Sequence, residues 1–364
     1  MKIQNIETFH AAIPLKKPFK TALRTVTVAE TVVVKMTLDN GLTGWGEAPP
    51  THVITGDSLA SINYAITGIF KPLLEGESLQ FRERVFEKVH QSAAGNSSAK
   101  AAVDMAIYDC VSQYANMPLG SFLGGFHEKI ETDYTVSVNS PVEMAQDAQN
   151  YVDNGFPVLK VKVGKDRIEA DIHRIQEIRR QIGDAVLIRL DANQGWEAKE
   201  AVKAIRKMED SGLNIELIEQ PVKAHDIKGL KMITENTATP IMADESVFSA
   251  HDARNVLEAG AADLINIKLM KAGGIHEALK IAALAKSFGV DCMVGSMIET
   301  KIGITAAAHF AASQSNVTRF DFDAPLMLAG DLIDGGVSYQ GNTIDLGSGK
   351  GLGINGINEE FIVG

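Results

Sequence analysis

The spacing of apolar residues changes character along this chain. Up to about residue 130, alternating runs at 3–13 and 31–38 read as strands. The second run turns at Asp39-Asn40-Gly41, a hairpin signal, and returns through residues 43–47. Helical spacing follows at about 58–74, 79–91 and 98–114. The stretches 14–30, which carries Arg24, and 49–57 show neither period and read as loops able to cover a site built elsewhere. Residues 1–130 are thus expected to form an α+β unit.

From Asp133 onward, short β-rich runs alternate with amphipathic helices. The strand ends read as Ser137, Lys162, Asp191, Glu219, Asp244, Lys268, Ser296 and Asp323, at intervals of 25, 29, 28, 25, 24, 28 and 27 residues. Eight strands alternating with single helices imply a parallel sheet that closes as a barrel, with chemistry at the strands' C-terminal ends. A doubly wound open sheet has similar alternation and stays open at this point. Beyond Asp323 the helical pattern stops, and the Gly-rich tail 325–364 is expected to pack back on the N-terminal unit. Within it, Gly351-Leu352-Gly353-Ile354-Asn355-Gly356 matches GxGxxG in form, but no helix and second strand follow, so these glycines read as turns.

Candidate chemistry collects at the strand ends. In Val158-Leu159-Lys160-Val161-Lys162 the alternation sends both lysines to one face, where paired ammonium groups call for anionic partners. Asp191, Glu219 and Asp244 end the next three strands, and Lys268 ends the sixth. Each carboxylate alone reads as structural, capping a helix or pairing with a base. Together they form a hard-oxygen set suited to Mg²⁺. Burial, a dication and mutual repulsion are expected to lower the lysine pKa values and so allow proton abstraction beside a carboxylate substrate. No GxSxG elbow surrounds Ser296, and His309, on an apolar helical run, reads as packed and hydrogen-bonded.

Composition narrows the partners. A formal net charge of −11 over 364 residues leaves no basic footprint for nucleic acid. Two distant cysteines give neither a disulfide framework nor a zinc motif. Neither a signal-peptide pattern nor an apolar run long enough to span a membrane is seen, so a cytoplasmic protein is expected.

These residues resemble the enolase superfamily, and within it the muconate-lactonising subgroup, over essentially the whole chain. The resemblance rests on Lys160-Val161-Lys162, Asp191-Ala192-Asn193, Glu219-Gln220-Pro221, Asp244-Glu245-Ser246 and Lys268. Arg319-Phe320-Asp321-Phe322-Asp323 and Thr21-Ala22-Leu23-Arg24-Thr25 make the chain most similar to dipeptide epimerases of the L-Ala-D/L-Glu type. The resemblance implies a modified TIM barrel, (β/α)7β, at 131–324, under an α+β capping domain built from 1–130 and 325–364. It implies one Mg²⁺ per subunit on Asp191, Glu219 and Asp244, with Lys162 and Lys268 as the two bases of a 1,1-proton transfer through an enediolate. Contacts to a small-molecule dipeptide fall to Arg24, Thr135, Lys160, Ser296, Ile298, Asp321 and Asp323. Asp321 and Asp323, expected to face one way from the last strand, would hold the dipeptide's ammonium, and Arg24 a glutamate side chain. A homo-oligomer is expected. Broad hydrophobic-dipeptide specificity stays open. So do N-acylamino acid racemase, o-succinylbenzoate synthase and muconate cycloisomerase activities, and a non-catalytic metal-binding protein on the same scaffold.

Overall fold

The computed structural model describes residues 1–363. Strands Ile3–Lys20, Thr25–Leu38 and Thr43–Ala48 pair as an antiparallel sheet. Their alternating side chains supply two cores. Val32, Val34, Met36 and Leu38 face the helices, while Ala11, Ile13, Ala29 and Val33 face Met327, Leu328, Leu332 and Ile333 of the C-terminal tail. The long helix Ser97–Tyr114 lies hard against the third strand, because Gly44 and Gly46 present no side chain there. A Cβ at either would stand 2.2 Å from Ala106 O or 1.9 Å from Ala102 O.

One expectation fails in this region. Residues 14–30 are not a loop. The first two strands continue as a hairpin to a turn closed by Thr21 N→Arg24 O at 3.0 Å. The β-branched run Thr25-Val26-Thr27-Val28 favours the strand, and Pro14 and Pro18 are absorbed by a register shift between Pro14 and Phe19. The hairpin thus carries Arg24 at its tip as a rigid arm.

Eight parallel strands follow: Tyr134–Val136, Val158–Lys162, Leu187–Asp191, Ile215–Glu219, Ile241–Ala243, Leu264–Ile267, Asp291–Val294 and Val317–Phe320. They neighbour one another in strict chain order, each separated from the next by helical crossovers. A doubly wound sheet reverses its order at a switch point, so this topology excludes it. The first and last strands meet through individual bonds in place of a ladder: Asp133 N→Phe320 O at 3.3 Å, Phe322 N→Thr132 Oγ1 at 2.8 Å and Thr135 N→Asp323 Oδ2 at 2.6 Å. Inside, Leu217, Met242, Leu264 and Met293 form an apolar layer of their own. By two-residue periodicity, Leu217 and Met242 lie one layer below Glu219 and Asp244.

The tail returns to the N-terminal sheet through Ala329 N→Pro14 O at 2.9 Å and Val363 N→His10 O at 2.8 Å. The glycine-rich run within it contributes strand Ile354–Ile357, paired antiparallel with Ile333–Gly335. His309 is buried and accepts Gly120 N at Nδ1, 3.0 Å away, and burial holds its pKa down at about 4. Among the described residues no helix is long and apolar enough to cross a membrane.

Candidate active site

A cleft opens at the C-terminal ends of the barrel strands, beneath the hairpin and the 49–57 segment. Arg24, Thr135, Lys160, Lys162, Lys268, Ser296, Ile298, Asp321 and Asp323 all line it. Asp191, Glu219 and Asp244 do not reach its wall, and each is almost completely buried.

Lys160 Nζ donates to Asp321 Oδ2 at 2.7 Å and lies 2.7 Å from Glu219 Oε2 and 3.3 Å from Asp191 Oδ2. Lys162 Nζ donates to Asp191 Oδ2 at 2.5 Å, and Lys268 Nζ to Asp244 Oδ2 at 2.7 Å. Ordered strand ends make this possible. Asn266 Nδ2 donates to Glu219 Oε1 at 2.8 Å, and Gln220 Oε1 accepts Asp244 N at 2.9 Å and Ser246 N at 3.1 Å. Asn193 and Gln220 hold positive φ values of 42° and 36°, backbone strain of the kind that collects at functional sites.

Two features differ from expectation. Burial does oppose the ammonium forms of Lys160 and Lys268, but before any dication is counted the carboxylates of Asp321, Glu219 and Asp191 around the first, and of Asp244 and Glu219 around the second, outweigh it, so both pKa values are raised there. And the last strand ends at Phe320, so Asp321 and Asp323 leave from the loop beyond it. Asp321 pairs with Lys160, while Asp323 accepts Thr135 N. Arg319 goes elsewhere, to Glu216 at 2.8 Å.

The layer at the strand ends, above the apolar one, is strongly charged. Burial, opposed by Lys162 and Lys160, leaves Asp191 at about 2, and burial with the Asp191 charge pushes Glu219 up to about 7. Burial with the charges of Asp244 and Asp191 raises Glu245 to about 8, and burial with Asp321 raises Asp323 to about 7. Sequence reasoning missed Glu245 as a cleft residue, and also Lys271, on the short helix Leu269–Ala272. Lys271 is fully buried, with Nζ 2.6 Å from Asp244 Oδ1 and donating to Asp244 O and to Asn266 O, the latter at 3.2 Å.

Among the described residues no three His, Cys, Asp or Glu groups stand together as a ready metal cluster, since the lysines lie between the carboxylates. The donor chemistry nevertheless fits a hard dication. Glu219 Oε2 and Asp244 Oδ1 are buried without a hydrogen-bond donor, because the approaches of Lys160 and Lys271 lack hydrogen-bonding angles, and Glu245 Oε2 and Asn193 Oδ1 are likewise unpartnered. Six carboxylates (Asp191, Glu219, Asp244, Glu245, Asp321, Asp323) face four ammonium groups (Lys160, Lys162, Lys268, Lys271), a formal deficit of two positive charges. Asp133 below them is matched by Arg189 at 2.8 Å.

Arg24 is half-buried, and burial lowers its pKa. Its Nη1 donates to Pro50 O at 3.5 Å, and among the described residues it forms no ion pair. Glu47 and Asp57 bond to the backbone amides of Gly303 at 2.6 Å and Ser98 at 3.2 Å.

Comparison with known proteins agrees with this architecture. The family pattern described as mandelate racemase / muconate lactonizing enzyme, N-terminal domain, matches residues 3–124, and that described as enolase C-terminal domain-like matches residues 143–360. The chain is 62% identical over 356 residues to the L-Ala-D/L-Glu epimerase of Bacillus subtilis, covering 98% of this chain and 97% of that protein. The substrate-liganded complex of the Bacillus subtilis L-Ala-D/L-Glu epimerase superposes with a TM-score of 0.98 at 62% identity, over 98% of this chain and 100% of that one. A dipeptide epimerase of Enterococcus faecalis, complexed with Mg and L-Leu-L-Tyr, superposes with a TM-score of 0.95 at 45% identity, over 98% and 100% of the two chains. By sequence and by fold alike, the chain belongs to the mandelate racemase / muconate lactonizing enzyme family of the enolase superfamily.

Proposed function

We propose that this protein is a Mg²⁺-dependent isomerase that epimerises the C-terminal residue of a dipeptide, interconverting L-Ala-L-Glu and L-Ala-D-Glu. The observation that carries the reading is one cleft lined by Lys162 and Lys268, from strands four apart, together with Asp321, Asp323 and Arg24. The relatives are epimerases of this substrate class, and Mg and dipeptide complexes are described for them.

In this reading Asp191, Glu219 and Asp244 hold the metal, which supplies Lewis-acid stabilisation of the charge that develops on the substrate carboxylate. Lys268 and Lys162 face the α-carbon from opposite sides. The neutral amine of one takes the α-proton, and the ammonium of the other delivers a proton to the opposite face, so each is the base for one epimer. Lys160, fixed between three carboxylates, adds a positive charge beside the substrate carboxylate. Asp321 and Asp323 bind the dipeptide's ammonium, with Thr135, Ser296 and Ile298 shaping the walls. Arg24 holds the glutamate side chain.

A second reading, a preference for hydrophobic second residues, draws on Leu23, Val53, Ile54 and Ile298 around Arg24 and on the L-Leu-L-Tyr complex of the Enterococcus faecalis relative. A cytoplasmic homo-oligomer completes the proposal, and two buried free cysteines support the reducing compartment. The test is incorporation of deuterium at the α-carbon of L-Ala-L-Glu in deuterium oxide with added Mg²⁺. Absence of both exchange and epimer formation across a library of L,L-dipeptides would refute epimerase activity.

A further inference from the structure

Two carboxylates that the chemistry above does not use are buried together where the capping unit meets the barrel. Glu47 is the penultimate residue of the third strand of the N-terminal sheet, and Glu299 follows the seventh barrel strand, one residue past the cleft-lining run Ser296-Met297-Ile298. Glu47 Oε1 accepts Thr300 Oγ1 at 2.9 Å and Gly303 N at 2.6 Å, at the start of helix Lys301–Ala312. Glu299 Oε1 turns back to accept Met297 N at 2.8 Å. Each carboxylate keeps its second oxygen buried with no hydrogen-bond partner. They share one space: a Cβ on Gly303 would meet Glu299 Oε2 at 2.4 Å and Glu47 Oε1 at 2.9 Å, so only glycine admits both.

We infer that Glu47 and Glu299 are positioning residues, a proton-sharing carboxyl pair that registers the capping unit on the barrel and thereby sets the shape of the pocket for the substrate side chain. The inference deepens the dipeptide-epimerase reading and rests on it for the identity of that pocket. Glu47 precedes the 49–57 segment, which brings Val53 and Ile54 to the cleft, and Glu299 fixes the turn that brings Met297 and Ile298. One pair therefore controls both walls. A proton held by Glu299, whose unpartnered Oε2 shares the space at Gly303 with Glu47 Oε1, removes a like-charge repulsion that burial would magnify.

The charged or titratable groups acting on Glu299 are Glu47 and, from the sixth strand, Lys268; Glu47 is surrounded by the hydroxyls of Thr300 and Thr31 and by the Gly303 amide. Burial and the Glu47 charge push Glu299 up to about 8, and burial raises Glu47 as well. A carboxyl raised on closure favours the closed pocket fully below the ordinary glutamate value, about 4.3, and that preference is lost as pH rises through the raised value. The local opening equilibrium should therefore grow about tenfold per pH unit across that window and then level off.

The amides of Met297 and Gly303 report directly on the two acids, so the experiment is hydrogen exchange of the full-length protein over residues 295–304 and 49–57, with protection corrected for intrinsic exchange. In the wild type, protection should fall about 100-fold from pH 5.5 to 7.5. In Glu299→Gln, which keeps shape but cannot ionise, the decline should flatten, and the KM for dipeptides should lose its rise with pH while kcat is unmoved. Glu47→Gln carries the same expectation, should the first variant fold poorly. Wild-type protection that is flat with pH, or variants that decline as the wild type does, would overturn the inference. Exchange needs no turnover, so a wild type that epimerises no dipeptide would remove the functional reading while this measurement still decides the pair.

Discussion

Replacing Arg24 by Met tests the substrate assignment most directly. The guanidinium sits at the hairpin tip, half-buried against the cleft, and burial already lowers its pKa without a carboxylate to compensate among the described residues. Its hydrogen bond to Pro50 O, at 3.5 Å, is at the limit of the geometry and contributes little. Part of the cation's desolvation is thus already incurred in the free protein, and a substrate carboxylate is the first strong acceptor it meets. A hydrogen bond to a charged group contributes about 1.5–3 kcal/mol net, which at about 1.4 kcal/mol per decade is a factor of about 10 to 150. Methionine retains the reach and the apolar stem beside Val53, Ile54 and Ile298 while deleting the charge. We expect kcat/KM for L-Ala-L-Glu to fall by that factor and kcat/KM for L-Ala-L-Leu to change by less than about threefold. Deuterium incorporation by mass spectrometry across an L,L-dipeptide library reads both. An equal fall for the two substrates, or none for either, would refute a glutamate-binding Arg24. A wild type that prefers large apolar second residues would establish the hydrophobic reading in its place.

Three further outcomes follow from the site. Lys162→Ala and Lys268→Ala should each reduce epimerisation by about 10² to 10⁴, the usual share of a positioned acid or base, while each still exchanges the α-hydrogen of one epimer only; NMR in deuterium oxide would expose a variant that interconverts both normally. Asp191→Asn, Glu219→Gln and Asp244→Asn should each weaken Mg²⁺ binding in calorimetry, because a neutral amide is a poorer ligand for a hard cation, and full activity in excess chelator would contradict the metal's role. Lys271→Met strips a buried carboxylate of its ion-pair partner and should destabilise the protein by about 3–5 kcal/mol in denaturant titration, a loss that a mere surface lysine would not produce.

Much of this molecule was legible in the sequence where burial and period reinforce each other. Strand ends spaced by single βα units announced the barrel, and two lysines inside an apolar strand could face only a charged interior. What stayed hidden depended on context that period cannot encode. Pro14 and Pro18 interrupt the period, yet an irregular stretch of a hairpin tolerates them, so the arm bearing Arg24 reads in sequence as a loop. Lys271 stands one helical turn beyond Lys268 in a run with no amphipathic signature, and only the fold turns it inward against Asp244. Glu47 and Glu299 are far apart in the chain and each resembles an ordinary polar residue at the end of a strand. The lysine pKa values are hidden for a related reason: the sequence shows which charges exist, whereas their balance depends on distances of 2.5 to 3.3 Å.

The barrel's first and last strands are joined by single bonds from Asp133, Phe322 and Thr135, and Asp321 and Asp323, proposed to grasp the ammonium end of the substrate, stand at that join, Asp323 through its bond to Thr135 N. A dipeptide bound there as proposed would act as a clasp across a junction that no ladder closes, and ligand binding would then be coupled to barrel integrity. Mechanical or thermal loosening of the enzyme should begin at this seam, and substrate should delay it more than its affinity for any single strand would suggest. Product release then has a built-in route, since letting go of the ammonium is the same motion as easing the seam apart.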